Sequence, residues 1–379
     1  MKRLVLAGAG HAHALLLKAW ERTPPPGVEL LLVSPNALAP YSGMVPGWLA
    51  GHYRYEDICV DFAPLVAATG ARWLADEVQG VQADQRRLLL RSGAVLDYDL
   101  LSLNVGSTLT PPTLDGKRNL HLLPLRPLAQ LHVAWQATQA MLANQHDDQP
   151  LHLRTVGAGA AGIETLLALR HWLNKTYPRR TVHASLLSQS AELLPGLAPG
   201  AQRSVRRALS QAGVDLRLGT GFDAARDTDS DAGSDAGTQL LVWATGAQAH
   251  AWQRDSGLSL DEPGFIRIDS QLRSISHPEV YAVGDCAAWA TPLPKAGVHA
   301  VRMAPVLAHN LRLAAAQQGD HMDHRPQRRF LALLALGEQR AVAAWGPFSA
   351  EGTWAWRWKD GIDRGFLARL GKSQGGGLR

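Results

Sequence analysis

A glycine turn set between an apolar strand and an apolar helix occurs twice in this chain, and few folds can use that arrangement twice. The first copy, Gly8-x-Gly10-x-x-His13, follows an apolar run that starts at residue 3 and opens a stretch rich in Ala and Leu. Three prolines at 24–26 end that helix, and a second apolar run follows at 28–33. Both runs are almost continuously apolar, as strands buried on both faces of a parallel sheet must be, so the unit is βαβ. Near the middle of the chain the pattern returns as Gly157-x-Gly159-x-x-Gly162 with Glu164 just beyond. A strand at 153–156, a helix over 163–173, a basic turn at 177–180 and a strand at 182–187 complete it.

Each glycine has a physical role. The first permits a tight turn, the second lets a pyrophosphate approach the backbone at a helix N-terminus, and the third allows close helix–strand packing. His13 replaces the third glycine in the first copy, whereas the second copy is complete. Two dinucleotide folds in one chain imply one dinucleotide held as a cofactor and another visiting as substrate. Apolar runs that end in small-residue turns at Asn104-Val-Gly106, Ala244-Thr-Gly246 and Gly284-Asp285 agree with this organisation.

Composition removes other classes. With 46% hydrophobic and 19% charged residues, 379 residues give two or three folded domains and not a disordered chain. The net charge of +5 has no long basic run behind it, which argues against nucleic-acid binding. Cys59 and Cys286 are too far apart to suggest a disulfide framework, a cysteine-rich metal site or a redox pair, and a reducing cytoplasm suits them. No apolar run reaches the ~18 residues of a membrane span, and the opening run leads into glycines and not into a signal-cleavage site, so the chain is expected to be soluble or peripheral. The acidic, low-complexity stretch at 223–238 reads as a surface loop, without the spacing of a calcium loop, and 375–377 reads as a frayed end.

The ordered set of Gly8/Gly10, Asn104/Gly106, Gly157/Gly159/Gly162/Glu164, Gly246 and Gly284-Asp285 resembles the pyridine nucleotide-disulfide oxidoreductase superfamily over about residues 3–320. The segments at 41–47, 294–302 and 356–364 resemble a subgroup related to type II NADH dehydrogenases and found fused to selenide, water dikinase. The resemblance implies an α/β fold with two Rossmann-like domains of the glutathione reductase type. An FAD domain would comprise 1–112 and 252–325, an NAD(P)-binding-like domain 113–251, and a small α+β cap 326–379. By the same resemblance, Gly8 and Gly10 hold the FAD pyrophosphate, His11 and His13 are among the cofactor-binding residues, Ser34 and Pro35 end the ribose-binding strand, and Val78 lies near the adenine. Asp285 then bonds the ribityl chain, while Tyr41, Ser42, Gly43 and Met44 flank the isoalloxazine together with Lys295, Ala296, Gly297 and Val298. NAD(P)H would be the co-substrate, and a small acceptor, such as a quinone, would take the electrons.

The chain also departs from that pattern. A carboxylate normally takes the ribose hydroxyls at the end of the second strand, but the two copies carry Ser34-Pro35 and Ser188-Gln189 there. Neither NADH nor NADPH preference follows. His11 and His13 read either as an acid–base pair or as one packed and one solvated ring. Lys295 reads either as a donor to the flavin edge or as a surface lysine. The C-terminal part reads as a hairpin of 341–345 with 353–358 followed by a helix over 360–370. Trp354, Trp356 and Trp358 then share one strand face that serves a buried layer, a homodimer contact or a lipid interface at the inner membrane face. The competing functional class is a flavin-binding sensor or partner module without enzymatic activity, linked to selenium metabolism.

Overall fold

The computed structural model describes residues 1–114, 120–146, 149–224, 227, 237–327 and 330–371. The acidic stretch at 223–238 lies largely outside the described residues, and 375–377 wholly so.

The first glycine turn joins β1 (Lys2–Ala7) to helix α1 (His11–Trp20), and β2 (Val28–Val33) returns parallel to β1. Short helices α2 (Val45–Leu49) and α3 (Phe62–Thr69) lead to β3 (Arg72–Leu74), and β4 (Leu100–Leu103) pairs with the other side of β1. The second sheet comprises β5 (Leu120–Pro124), β6 (Leu151–Val156), β7 (Val182–Ser188), β8 (Val214–Leu218) and β9 (Thr238–Trp243). Helices α4 (Leu128–Ala143), α5 (Ala160–Thr176) and α6 (Pro199–Gln211) accompany it. Its order is β5-β9-β6-β7-β8, and every pairing is parallel. The chain then returns, and β10 (Val280–Ala282) adds to the first sheet beside β4, giving the order β10-β4-β1-β2-β3. Helix α7 (Gly297–Ala316) packs against α1.

The repeat seen in the sequence is therefore two open parallel sheets, each with its glycine turn at the carboxyl end of the central strand, where α/β sheets bind ligands. Leu16, Leu17 and Trp20 of α1 are fully buried, at about 1.5–3 kcal/mol per large apolar side chain.

The C-terminal part corrects the sequence reading. Strands β11 (Ala332–Leu336), β12 (Glu338–Trp345) and β13 (Phe348–Gly352) form an antiparallel meander, and helix α8 (Thr353–Arg369) follows directly. The three tryptophans lie on a helix, not on one strand face. Trp354 and Trp358, four residues apart, stack at 6.3 Å on the exposed side, while Trp356 is buried against Ala341, Ala343 and Ala355. Alternation over only five residues cannot separate a strand from a helix when the intervening residues, Ala355 and Arg357, are tolerated in either. Gly352, at φ 155°, marks where the strand gives way to the helix.

Candidate functional site

Gly8 turns at φ 97°, and a Cβ on Gly10 would lie 2.1 Å from Asn104 Oδ1, so the asparagine closes the first turn from beneath. Asn104 Oδ1 accepts from the amides of Ala12 and His13 at 3.1 and 3.4 Å, and Nδ2 donates to the Val283 carbonyl at 3.0 Å. One buried amide thereby ties α1, β4 and β10 together. His13 occupies the third glycine position by filling it: Nδ1–H donates to Gly8 O at 2.6 Å, and Nε2 then accepts from Ser102 Oγ at 2.8 Å. Burial pushes its pKa down to about 4 against the Gly8 bond, so the ring is neutral. His13 is thus a packing residue.

The other expected flavin-side residues converge. His11 packs edge-on against Tyr41 at 5.1 Å and against Phe366 of α8 at 5.9 Å, and burial pushes it to about 4 as well. It is therefore not the solvated partner that the sequence allowed. A Cβ on Gly297 would meet Ser42 Oγ at 3.0 Å and His11 at 3.5 Å, so the 41–44 segment and the N-terminus of α7 face each other. Met44 is buried beside them, and Ala296 precedes α7 as its N-cap.

Asp285 follows the Gly284 turn, where φ is 72°. Its carboxylate accepts from Ser107 Oγ at 3.2 Å and pairs with the Arg126 guanidinium, which also reaches Ser107. Sequence reasoning missed Arg126, because an arginine between a strand and Pro127 gives only a turn signal. Lys295 is neither exposed nor isolated. Its Nζ donates to Ala287 O at 2.7 Å and lies 3.7 Å over the Phe265 ring. With Gly284, Asp285, Trp289 and His299 it lines a cavity of about 200 Å³. Val78 is half-buried on an antiparallel strand pairing with Leu90, Ser34 Oγ donates to Asn36 O at 2.9 Å, and Pro35 is exposed.

At the second turn, Gly157 has φ 120°, and a side chain there would strike Ala244 O. Gly162 lets α5 pack on the turn, since its Cβ would fall 2.1 Å from Gly157 O. By contrast, a Cβ on Gly159, Gly246 or Gly106 would meet nothing within 4 Å. Glu164 does not sit free at this turn: it is half-buried, and its Oε1 accepts from the amide of Ala335 in β11 at 2.8 Å. Burial raises its pKa to about 7, against the pull of Lys359. Cys59 and Cys286 are both buried and not joined in a disulfide, and burial pushes the Cys286 thiol up to about 11, so no thiolate pair exists.

These residues fit a dinucleotide at each turn. Asn104 takes the Ala12 and His13 amides of α1 and leaves those of Gly10 and His11 for an anion, no N-cap side chain bonds the first turn of α5, and the glycines at 106, 159 and 246 open onto space that backbone and ligand share. The first site adds the polar set of Ser107, Arg126 and Asp285 beside the cavity.

Residues 2–305 match the model of the pyridine nucleotide-disulphide oxidoreductase family, and the chain belongs to that family. Fold, family and site together define an FAD-dependent oxidoreductase that uses a pyridine nucleotide, without a redox-active disulfide. The chain is 27% identical to ferroptosis suppressor protein 1 of Homo sapiens over 70% of its own length and 69% of that protein. It is 25% identical to an NADH dehydrogenase-like protein of Mycobacterium tuberculosis over 60% of its own length, spanning only 58% of that relative. Its fold superposes on the sulfide:quinone oxidoreductase of Aquifex aeolicus with a TM-score of 0.75 at 17% identity, covering 98% of this chain and 91% of that one. No described helix is long and apolar enough to cross a membrane.

Proposed function

We propose that the protein transfers electrons from NAD(P)H to a quinone or another small acceptor. The observation that carries this reading is a second, complete glycine turn at α5, opening onto free space at Gly159 and Gly246, in a chain whose first turn leads to Asp285 and Lys295. FAD, when bound, supplies the chemistry that accepts a pair of electrons from the nicotinamide and passes them on. Gly8, Gly10 and the His11 amide at the start of α1 would hold its pyrophosphate, Arg126 and Asp285 its polar chain, and residues 41–44 and 295–298 its ring. The NADH dehydrogenase-like relative and the likeness to a quinone-reducing fold support this choice of donor and acceptor.

At the nucleotide turn, β7 ends in Ser188, whose Oγ accepts from the Ser190 amide at 3.2 Å, and in Gln189, which lies against Gly221. With neither carboxylate nor arginine in that position, similar affinities for NADH and NADPH are expected. The division into an FAD domain of 1–112 and 252–325, a nucleotide domain of 113–251 and a cap of 326–379 is supported by β10 completing the first sheet after the second has closed. For a peripheral membrane contact we favour the exposed face of α8 carrying Trp354, Trp358 and Ile362. A homodimer through that same face is the alternative. A sensor role tied to selenium metabolism rests on the sequence resemblance alone. The test is anaerobic reduction of the purified flavoprotein by NADH and by NADPH, followed by an acceptor screen. Failure of both nucleotides to bleach the flavin would refute the reading.

A further inference from the structure

Lys359 and Asp363 lie one turn apart on α8, both more than nine-tenths buried, with an ion pair of 2.6 Å between them. Lys359 also donates to the Gly43 carbonyl, and the Asp363 carboxyl lies beside Tyr41. The three meet closely: a Cβ on Gly43 would lie 2.9 Å from the Tyr41 ring and 3.1 Å from Asp363 Oδ1. Tyr41 is fixed by a 4.5 Å stack on Phe366 and by the edge of His11. Attaching the cap does not account for this cluster. Tyr53 already bonds Asp360 at 2.6 Å, and a buried ion pair stabilises no better than two packed apolar side chains would. The pair instead puts a carboxyl and a phenol behind the segment that would flank the flavin ring.

Reduction of a quinone by a nicotinamide calls for such a pair. NAD(P)H, one proton and a quinone give NAD(P)⁺ and a hydroquinone: the donor supplies two electrons and one proton, and the second proton must come from solvent through the protein. We propose that Asp363, acting through the Tyr41 hydroxyl, holds that proton on the buried side of the flavin site and delivers it during acceptor reduction. The inference rests on the reading of the chain as an NAD(P)H:quinone-type enzyme. With Asp363 ionised, the Tyr41 O–H donates to the carboxylate. With Asp363 protonated the bond reverses, the carboxyl donates to the phenol oxygen, and the phenol O–H is released to donate elsewhere. Burial raises the Asp363 pKa against the opposing pull of Lys359. The charged and titratable groups around it are Lys359 and Asp360 on α8, Tyr41, Tyr53 and His11 from the first domain, and Glu164 from α5. Asp360, nearly one turn away and half-buried, accepts from Arg364 Nε at 2.9 Å.

The experiment compares FAD-loaded wild type, Tyr41→Phe and Asp363→Asn, using p-benzoquinone, which takes up protons, and ferricyanide, which takes electrons alone. The ratio of quinone to ferricyanide turnover is expected to fall by on the order of tenfold or more in both variants. Equal loss with both acceptors, or no loss, overturns the proposal, because a structural role would not distinguish them. A second readout needs neither donor nor acceptor. Dithionite reduction followed in the infrared should give a carboxyl band that shifts in D₂O and is missing from Asp363→Asn, and its absence from wild type overturns the proposal. If wild type reduces ferricyanide but no quinone, the acceptor reading fails, and the infrared band decides the role of Asp363 by itself. Tyr41→Phe keeps the ring stack and the charge balance, so it carries the test if Asp363→Asn does not fold.

Discussion

The Lys295 ammonium donates to one carbonyl and lies over one aromatic face, in the cavity it lines together with Asp285. Burial lowers its pKa, with Cys286 and Asp285 acting in the other direction. A cation there favours added negative charge. If its contact strengthens on reduction by about 1.5–3 kcal/mol, Lys295→Met should lower the two-electron potential of bound FAD by roughly 30–60 mV. Dye-equilibrated titration with bound FAD quantified checks this, and an unchanged potential removes Lys295 from the site. The cysteines lead to the opposite expectation. Both are buried, with Cys59 Sγ donating to the Tyr55 carbonyl at 3.1 Å and Cys286 Sγ donating to Val283 O at 3.3 Å. The double variant Cys59→Ser, Cys286→Ser should retain electron transfer per bound FAD. Loss of turnover at full FAD content would show a thiol taking part.

Helix α5 joins two tasks: its N-terminus opens at the second glycine turn, and Glu164 one turn on anchors β11 of the cap. Gly337, at φ 86°, brings the adjoining hairpin turn so close to α5 that a Cβ would lie 2.2 Å from Leu167 O. Because the Glu164 pKa rises from 4.5 to about 7 on folding, the folded state binds the extra proton. That stabilising contribution is complete below pH 4.5 and is lost as the pH rises through 7, roughly 3.5 kcal/mol at about 1.4 kcal/mol per pH unit. His11 and His13, depressed to about 4, work in the opposite sense and cost stability as the pH falls below 6.5. Glu164→Gln keeps an acceptor for the Ala335 amide and removes the titration. Melting curves from pH 5 to 8 should therefore show wild type losing stability relative to the variant as pH rises, whereas parallel curves would contradict the assignment.

Across the whole molecule, the cap touches both nucleotide domains, α8 against residues 41–44 and the meander against α5 and α6. Its outer face keeps Trp345, Phe348, Trp354 and Trp358 about half or more exposed, an unusual surface for a helix and hairpin otherwise well packed. Trp354→Ser with Trp358→Ser should leave the melting temperature within about 2–4 °C, as for exposed sites, while lowering cosedimentation with anionic vesicles. Equal sedimentation of both proteins would count against a lipid contact. The two βαβ units, their glycine turns and the absence of a thiol pair were legible in the sequence, because strand burial, φ > 0 and cysteine spacing are local properties of the chain. Position along the chain could not show that Asn104 is what demands Gly10, that His13 fills a glycine's place, or that Arg126 meets Asp285, since each contact joins residues brought together only when the sheets form. The same holds for the cap. Alternating tryptophans suited a strand or a helix equally, and packing of Trp356 on Ala341 and Ala343, with Lys359 and Asp363 turned inward onto Gly43 and Tyr41, selected the helix.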